Sequence, residues 1–221
     1  MRLSGWTALA WSLAATPILA ADDPQPLFDN AEVLVLDLHL AKGQATPPSS
    51  ATSDTVILYA SGGEVRSEPA KGAATTERHS FGDAVFIPKG KGVREVAAGT
   101  DPVHLVVVTL KAPPSRIANP GDLPLAFPRP GAVKRLENDR VVVWNYTWRK
   151  TVPTPMHFHD KDVVLAYRYD GTVRSTALDG MFVDNTYTAG EVRFNKGDRT
   201  HSELLLTDRQ SAVMMELKPQ S

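Results

Sequence analysis

Apolar and polar residues alternate along much of this chain. Leu34, Leu36, Leu38 and Leu40 are interleaved with Val35, Asp37 and His39, a period of two that predicts a strand with one apolar face. Val142, Trp144, Tyr146 and Trp148 repeat the pattern further on. The apolar runs Val56-Ile57-Leu58-Tyr59, Ala84-Val85-Phe86-Ile87 and Leu105-Val106-Val107-Val108 are each bounded by Gly, Pro or Asp and predict further strands. No stretch beyond Ala21 keeps a helical apolar period for long. The expected class is all-β, and many evenly spaced strands argue for small antiparallel sandwiches or barrels.

The pattern occurs twice. An offset of 108 carries Val33 onto Val141, Asp54 onto Asp162, Tyr59 onto Tyr167 and Val65-Arg66-Ser67 onto Val173-Arg174-Ser175. It carries Gly82 onto Gly190 and Glu95 onto Glu203; one residue is then lost, so Leu110-Lys111 match Leu217-Lys218. One offset held over so long a stretch identifies a tandem duplication. The organisation expected is a first copy over 21–111, a Pro-rich linker over 112–130 and a second copy over 131–218. Residues 1–20 read as a signal peptide: Arg2 precedes an apolar core from Trp6 to Ala15, and Pro17 precedes the small residues Ala20 and Ala21. That segment predicts export to the periplasm or outside, with no membrane association after cleavage.

Composition narrows the function classes. The 221 residues carry 24 Lys+Arg against 25 Asp+Glu, a net charge of −1, which excludes nucleic-acid binding driven by counterion release. The absence of Cys excludes disulfides, thiolate metal sites and Cys nucleophiles.

The chemistry concentrates in Met156-His157-Phe158-His159. Residues i and i+2 of a strand leave the same face, so both imidazoles point one way. His201 lies just beyond a hairpin opened by Gly190. Three neutral imidazoles converging from two strands suit one divalent metal ion, with coordination positions left open. Asp162 is the secondary candidate as a fourth ligand, and Arg168 as a grip for a substrate carboxylate. Glu203 reads as a salt-bridged or solvated strand residue, because its equivalent Glu95 is present in the first copy. His39 is expected to be exposed, His104 to be a satisfied imidazole in a buried strand, and Trp144, Tyr146 and Trp148 to be core.

The histidines and glycines together resemble the two motifs of the cupin superfamily. The first is a Gly, five residues, His-x-His, three or four residues, a Glu, six residues and a Gly; the second is a Gly, five residues, Pro-x-Gly, two residues, a His, three residues and an Asn. The second copy has His157, His159 and Gly171 at first-motif positions and Gly190 and His201 at second-motif positions. Thr151, Val164, Lys196, Asp198 and Leu205 depart from the motifs. The first copy keeps Gly43, Gly63, Gly82, Pro88 and Gly90, but Ser49, Ala51 and Val93 stand at its three ligand positions. The resemblance implies two tandem cupin jelly rolls (double-stranded β-helix barrels) with a metal site only in the C-terminal copy.

It also implies one ion of iron, zinc, nickel, manganese or copper, since cupins include dioxygenases, decarboxylases and isomerases. Three-His shells occur among the thiol and diketone dioxygenases. The expected function is a metal-dependent enzyme acting on a small polar molecule, by dioxygenase-like or Lewis-acid chemistry. The alternative is a non-catalytic periplasmic protein that binds a metal or small ligand. Exposed edge strands and the habit of the family make a homodimer plausible.

Overall fold

The computed structural model describes residues 24–219, so the expected signal peptide lies outside the described residues. The first copy comprises β1 (Phe28–Asp29), β2 (Val33–Leu40), β3 (Thr55–Tyr59), β4 (Gly63–Pro69), β5 (Thr75–His79), β6 (Ala84–Ile87), β7 (Val93–Ala97) and β8 (Val103–Leu110). The second comprises β9 (Val133–Glu137), β10 (Val141–Trp148), β11 (Thr154–His159), β12 (Val163–Tyr167), β13 (Gly171–Thr176), β14 (Phe182–Tyr187), β15 (Val192–Asn195), β16 (Arg199–Leu205) and β17 (Gln210–Leu217). No helix is present among the described residues.

Each copy is a two-sheet antiparallel barrel. The five-stranded sheets have orders β1-β2-β8-β3-β6 and β9-β10-β17-β12-β15, which are equivalent strand for strand. The opposing sheets are β5-β4-β7 in the first copy and β11-β16-β13-β14 in the second. β2 and β10 start at Val33 and Val141, whereas β8 and β17 start at Val103 and Gln210, where the lost residue puts them.

The five-stranded sheets are apolar on both faces, which corrects the expectation of a single apolar face. Leu36, Leu38, Leu40, Leu105 and Val107 fill the first barrel. The alternate residues Val33, Val35, Val106 and Val108 turn outward and meet Val141, Val143, Val213 and Met215 in a core shared between the barrels. Each such side chain removed from water contributes about 1.5–3 kcal/mol. Arg140–Asp54 (3.2 Å) and Lys196–Glu32 (2.9 Å) pair across the rim of this interface.

Two departures from the cupin motifs leave the turn geometry intact. Thr151 and Asp198 have φ of 67° and 58°, while their first-copy equivalents Gly43 and Gly90 both have φ of 82°. The turn is therefore kept where the glycine is not, at a strain of roughly 1–3 kcal/mol per residue, greater for the branched Thr151.

The expected linker is shorter than 112–130. Phe158 donates its N–H to Pro124 O (2.9 Å), and Ala126 donates to Phe158 O (2.8 Å). Ala126 and Phe127 are buried in the second barrel's interior. Residues 124–130 thus belong to that barrel, because the outer edge of β11 needs backbone partners.

Candidate metal centre

The site is built from the inward faces of β11 and β16. Their register sets His157 opposite His201 and His159 opposite Arg199, with an irregularity between Thr154 and His157. Alternation sends His157 and His159 to the same side, and antiparallel pairing brings His201 to meet them. The Nε2 atoms of His157 and His159 are 3.2 Å apart, and those of His159 and His201 are 3.3 Å apart. Metal–nitrogen bonds of ~2.0–2.1 Å at right to tetrahedral angles separate donor atoms by ~2.8–3.4 Å, so these spacings fit one shared ion.

The chemical state of the rings fits as well. His157 Nδ1–H donates to Pro155 O at 2.8 Å, which leaves the Nε2 lone pair facing inward. Burial lowers the His157 pKa to about 4 against the opposing pull of Glu203. Burial, reinforced by Arg199 and the other two imidazoles, lowers that of His159 to about 2. Both rings are accordingly neutral, the form that binds metal, well below neutral pH. His159 Nδ1 is buried without a partner.

Glu203 stands beside the triad, with Oε1 3.6 Å from His201 Nε2. Its Oε2 accepts from Arg129 Nη1 at 2.9 Å and Trp148 Nε1 at 3.1 Å. Burial pushes this carboxyl up, but His201, Arg129 and His157 outweigh it and hold the group well below the usual carboxylate range. The Arg129 guanidinium lies over the ring of Tyr146 at 3.8 Å and that of Phe127 at 4.6 Å. The cavity beside the triad is about 110 Å³, and Arg193, Arg199, Tyr167 and Tyr187 are among its walls. Arg199 is half-buried and donates Nε–H to Lys196 O at 2.7 Å. Among the described residues it has no carboxylate in an ion pair.

The structure brings His157, His159 and His201 together and leaves the two secondary candidates elsewhere. Asp162 is a correction: its Oδ1 accepts from Gly197 N–H at 2.7 Å and its Oδ2 from Lys196 Nζ at 2.8 Å, pinning the turn between β15 and β16. Asp162 shares parity with Val164, and Val164 faces the core between the barrels, so the parity that seemed to aim Asp162 inward aims it outward. Arg168 is also a correction. It is exposed, and its guanidinium lies 5.0 Å from the Phe81 ring centre of the first barrel and outside the cavity. Sequence reasoning passed over Arg129, Arg193 and Arg199. Arg199 had a usable signal, since it lies two residues before His201 on the same strand face. Arg129 had none, because it lay inside the expected linker.

The equivalent place in the first barrel has no triad. Ser49 Oγ accepts from Val93 N–H at 2.8 Å, and a cavity of about 490 Å³ is lined largely by apolar residues such as Val85, Ile87 and Val93, with buried Glu95.

No protein-family model matches the sequence, and no curated protein matches it. Solved structures do. AerE from Microcystis aeruginosa is similar over 88% of this chain and 97% of its own, with a TM-score of 0.62 and 8% identity. A cupin 2 conserved barrel domain protein from Leptotrichia buccalis matches over 88% of both chains (TM-score 0.54, 12% identity). Bacillus subtilis oxalate decarboxylase, described with Mn(II) centres, matches over 86% of this chain and 69% of its own (TM-score 0.57, 12% identity). With its repeated pair of sheets, this chain has the fold of the cupin superfamily, built twice in tandem.

Proposed function

We propose that the second barrel binds one divalent metal ion through His157, His159 and His201 and acts with it on a small molecule bearing an anionic group. The observation that carries this reading is the convergence of three Nε2 atoms at 3.2 and 3.3 Å, with His159 and His201 on the wall of a cavity that Arg199 also lines. An all-imidazole shell suits iron, zinc, nickel or copper better than manganese, which favours carboxylate oxygen. The Mn(II) centres of the oxalate decarboxylase neighbour keep manganese among the ions to try.

A bound ion supplies Lewis-acid polarisation and, if redox-active, electron transfer. The protein's own residues do the rest. Arg199, without a carboxylate partner, attracts and orients the anionic end of the substrate. Glu203 is locked through Oε2 by Arg129 and Trp148, and its Oε1 stands beside the triad, 3.6 Å from His201 Nε2. Tyr167 and Tyr187 stack at 3.8 Å and wall the cavity from bulk water. The apolar segment before Ala21 supports export, so the reaction belongs to the periplasm or the exterior. The hold of Arg129 and Trp148 on Glu203 Oε2 favours a second reading, a non-catalytic metal- or ligand-binding protein, because it fixes that carboxylate and keeps it ionised rather than poised to take up a proton.

Metal content decides the central claim. The purified protein is expected to hold one equivalent at the triad, and the double variant His157→Ala/His159→Ala to lose it while keeping its β-sheet circular dichroism. A folded double variant that keeps wild-type metal content overturns the assignment. Oxygen uptake or product formation from small carboxylates then separates enzyme from binding protein.

A further inference from the structure

The sheet face that forms the core between the barrels does not stay apolar to its end. In the first barrel Val33 and Val35 on β2 and Val106 and Val108 on β8 belong to that core. The same face continues through Asp37, His39 and His104. Asp37 and His39 are two apart on β2 and share a side, and His104 on β8 is the register partner of His39. One ligand atom from each lies within 4.8 Å of the others. His104 is buried, with Nε2 2.5 Å from Asp37 Oδ1, and the His39 ring stacks on it at a centroid distance of 4.0 Å. Among the described residues Asp37 pairs with no Lys or Arg; the side chain that meets its carboxylate is His104. His39 is exposed, so its ring can turn while the strand stays in place.

We propose that Asp37, His39 and His104 form a second divalent-metal site, independent of the three-histidine cluster, that takes a transition ion such as Zn2+, Cu2+ or Ni2+. Two imidazoles and a carboxylate are a donor set for these ions, and three protein ligands leave positions for water. The ion takes the place of the proton between His104 Nε2 and Asp37 Oδ1, which leaves to solvent. His39 swings out of the stack to present its lone pair.

The duplication supplies the control. Asn145, Thr147 and Ser211 stand at the equivalent positions of the second copy, with Thr147 Oγ1 and Ser211 Oγ 2.9 Å apart, and they offer no comparable donor set. Each barrel thus carries one donor cluster in a different place: inside the second barrel, and at the end of the inter-barrel face of the first. The second barrel reaches the new site through Gly190 (φ 82°), where a Cβ would stand 3.3 Å from the His104 ring. An ion here ties β2 to β8 beside the point where the other barrel docks.

Calorimetric titration of the chelator-treated full chain with Zn2+ alone tests the site. The wild type is expected to take two equivalents, His39→Thr one, His157→Ala/His159→Ala one, and the combined variant none. His39→Thr and Asp37→Asn install residues that the second copy already carries at those positions, so both are expected to fold, which circular dichroism checks. If either folded variant binds Zn2+ with wild-type stoichiometry and affinity, the second site is overturned. A single wild-type equivalent that disappears with His157 and His159 also overturns it and leaves the triad standing. A single equivalent that disappears with His39 keeps it and removes the triad.

Discussion

Glu95 and Glu203 occupy equivalent positions in the two copies, and their surroundings drive them apart. Glu203 is held ionised by His201, Arg129 and His157. Glu95 is 1% exposed with no cation beside it, and burial raises its carboxyl against a single hydrogen bond from Ser67 Oγ at 2.7 Å. A carboxyl whose folded pKa is raised binds its proton more tightly folded than unfolded, so folding gains stability as pH falls through that value and carries a penalty above it. Glu95→Gln is therefore expected to stabilise the protein at neutral pH, the gain fading as pH drops through the raised value toward 4.5. Urea midpoints of variant and wild type at neutral and acid pH measure this; equal midpoints at neutral pH would contradict it.

β11 is a strand because both of its edges have partners. β16 pairs with one side, and residues 124–126 bond to Phe158, the residue between His157 and His159, on the other. The first copy shows the difference: its corresponding segment forms no strand, and its contacts with β7 include the bridge Ala45↔Val96 and the bonds Thr46 N→Glu95 O and Ser49 N→Val93 O, both 2.8 Å. The register survives there without the strand. Ala126→Pro deletes the N–H that reaches Phe158 O, at a cost of about 1–3 kcal/mol. Transmitted to the triad, a loss of that size weakens metal binding by roughly 5- to 150-fold. Competition against a chelator of known affinity reads the change, and an unchanged affinity would show that β11 needs β16 alone.

The two barrels share a core, and this sets how the molecule unfolds. Valines from both five-stranded sheets, with Met215 and Leu217, form a single apolar layer that neither barrel can cover alone. One cooperative calorimetric transition is expected, with van't Hoff and calorimetric enthalpies in agreement. Two resolved transitions would mean that the layer contributes less than either interior.

Alternating leucines, the offset of 108 and the spacing of His157 and His159 are properties of the chain read in one dimension. Strand class, duplication and an imidazole pair on one face follow from them, because period-two geometry is local. Which face points where is not local. Asp162 turned outward with Val164, and Arg129 moved from an expected linker into the second barrel, because sheet packing and strand edges dictated both. His104 lies far along the chain from Asp37 and His39, and only the pairing of β2 with β8 sets it beside them. Local alternation determines strands; the choice of neighbours, which long-range burial makes, determines sites.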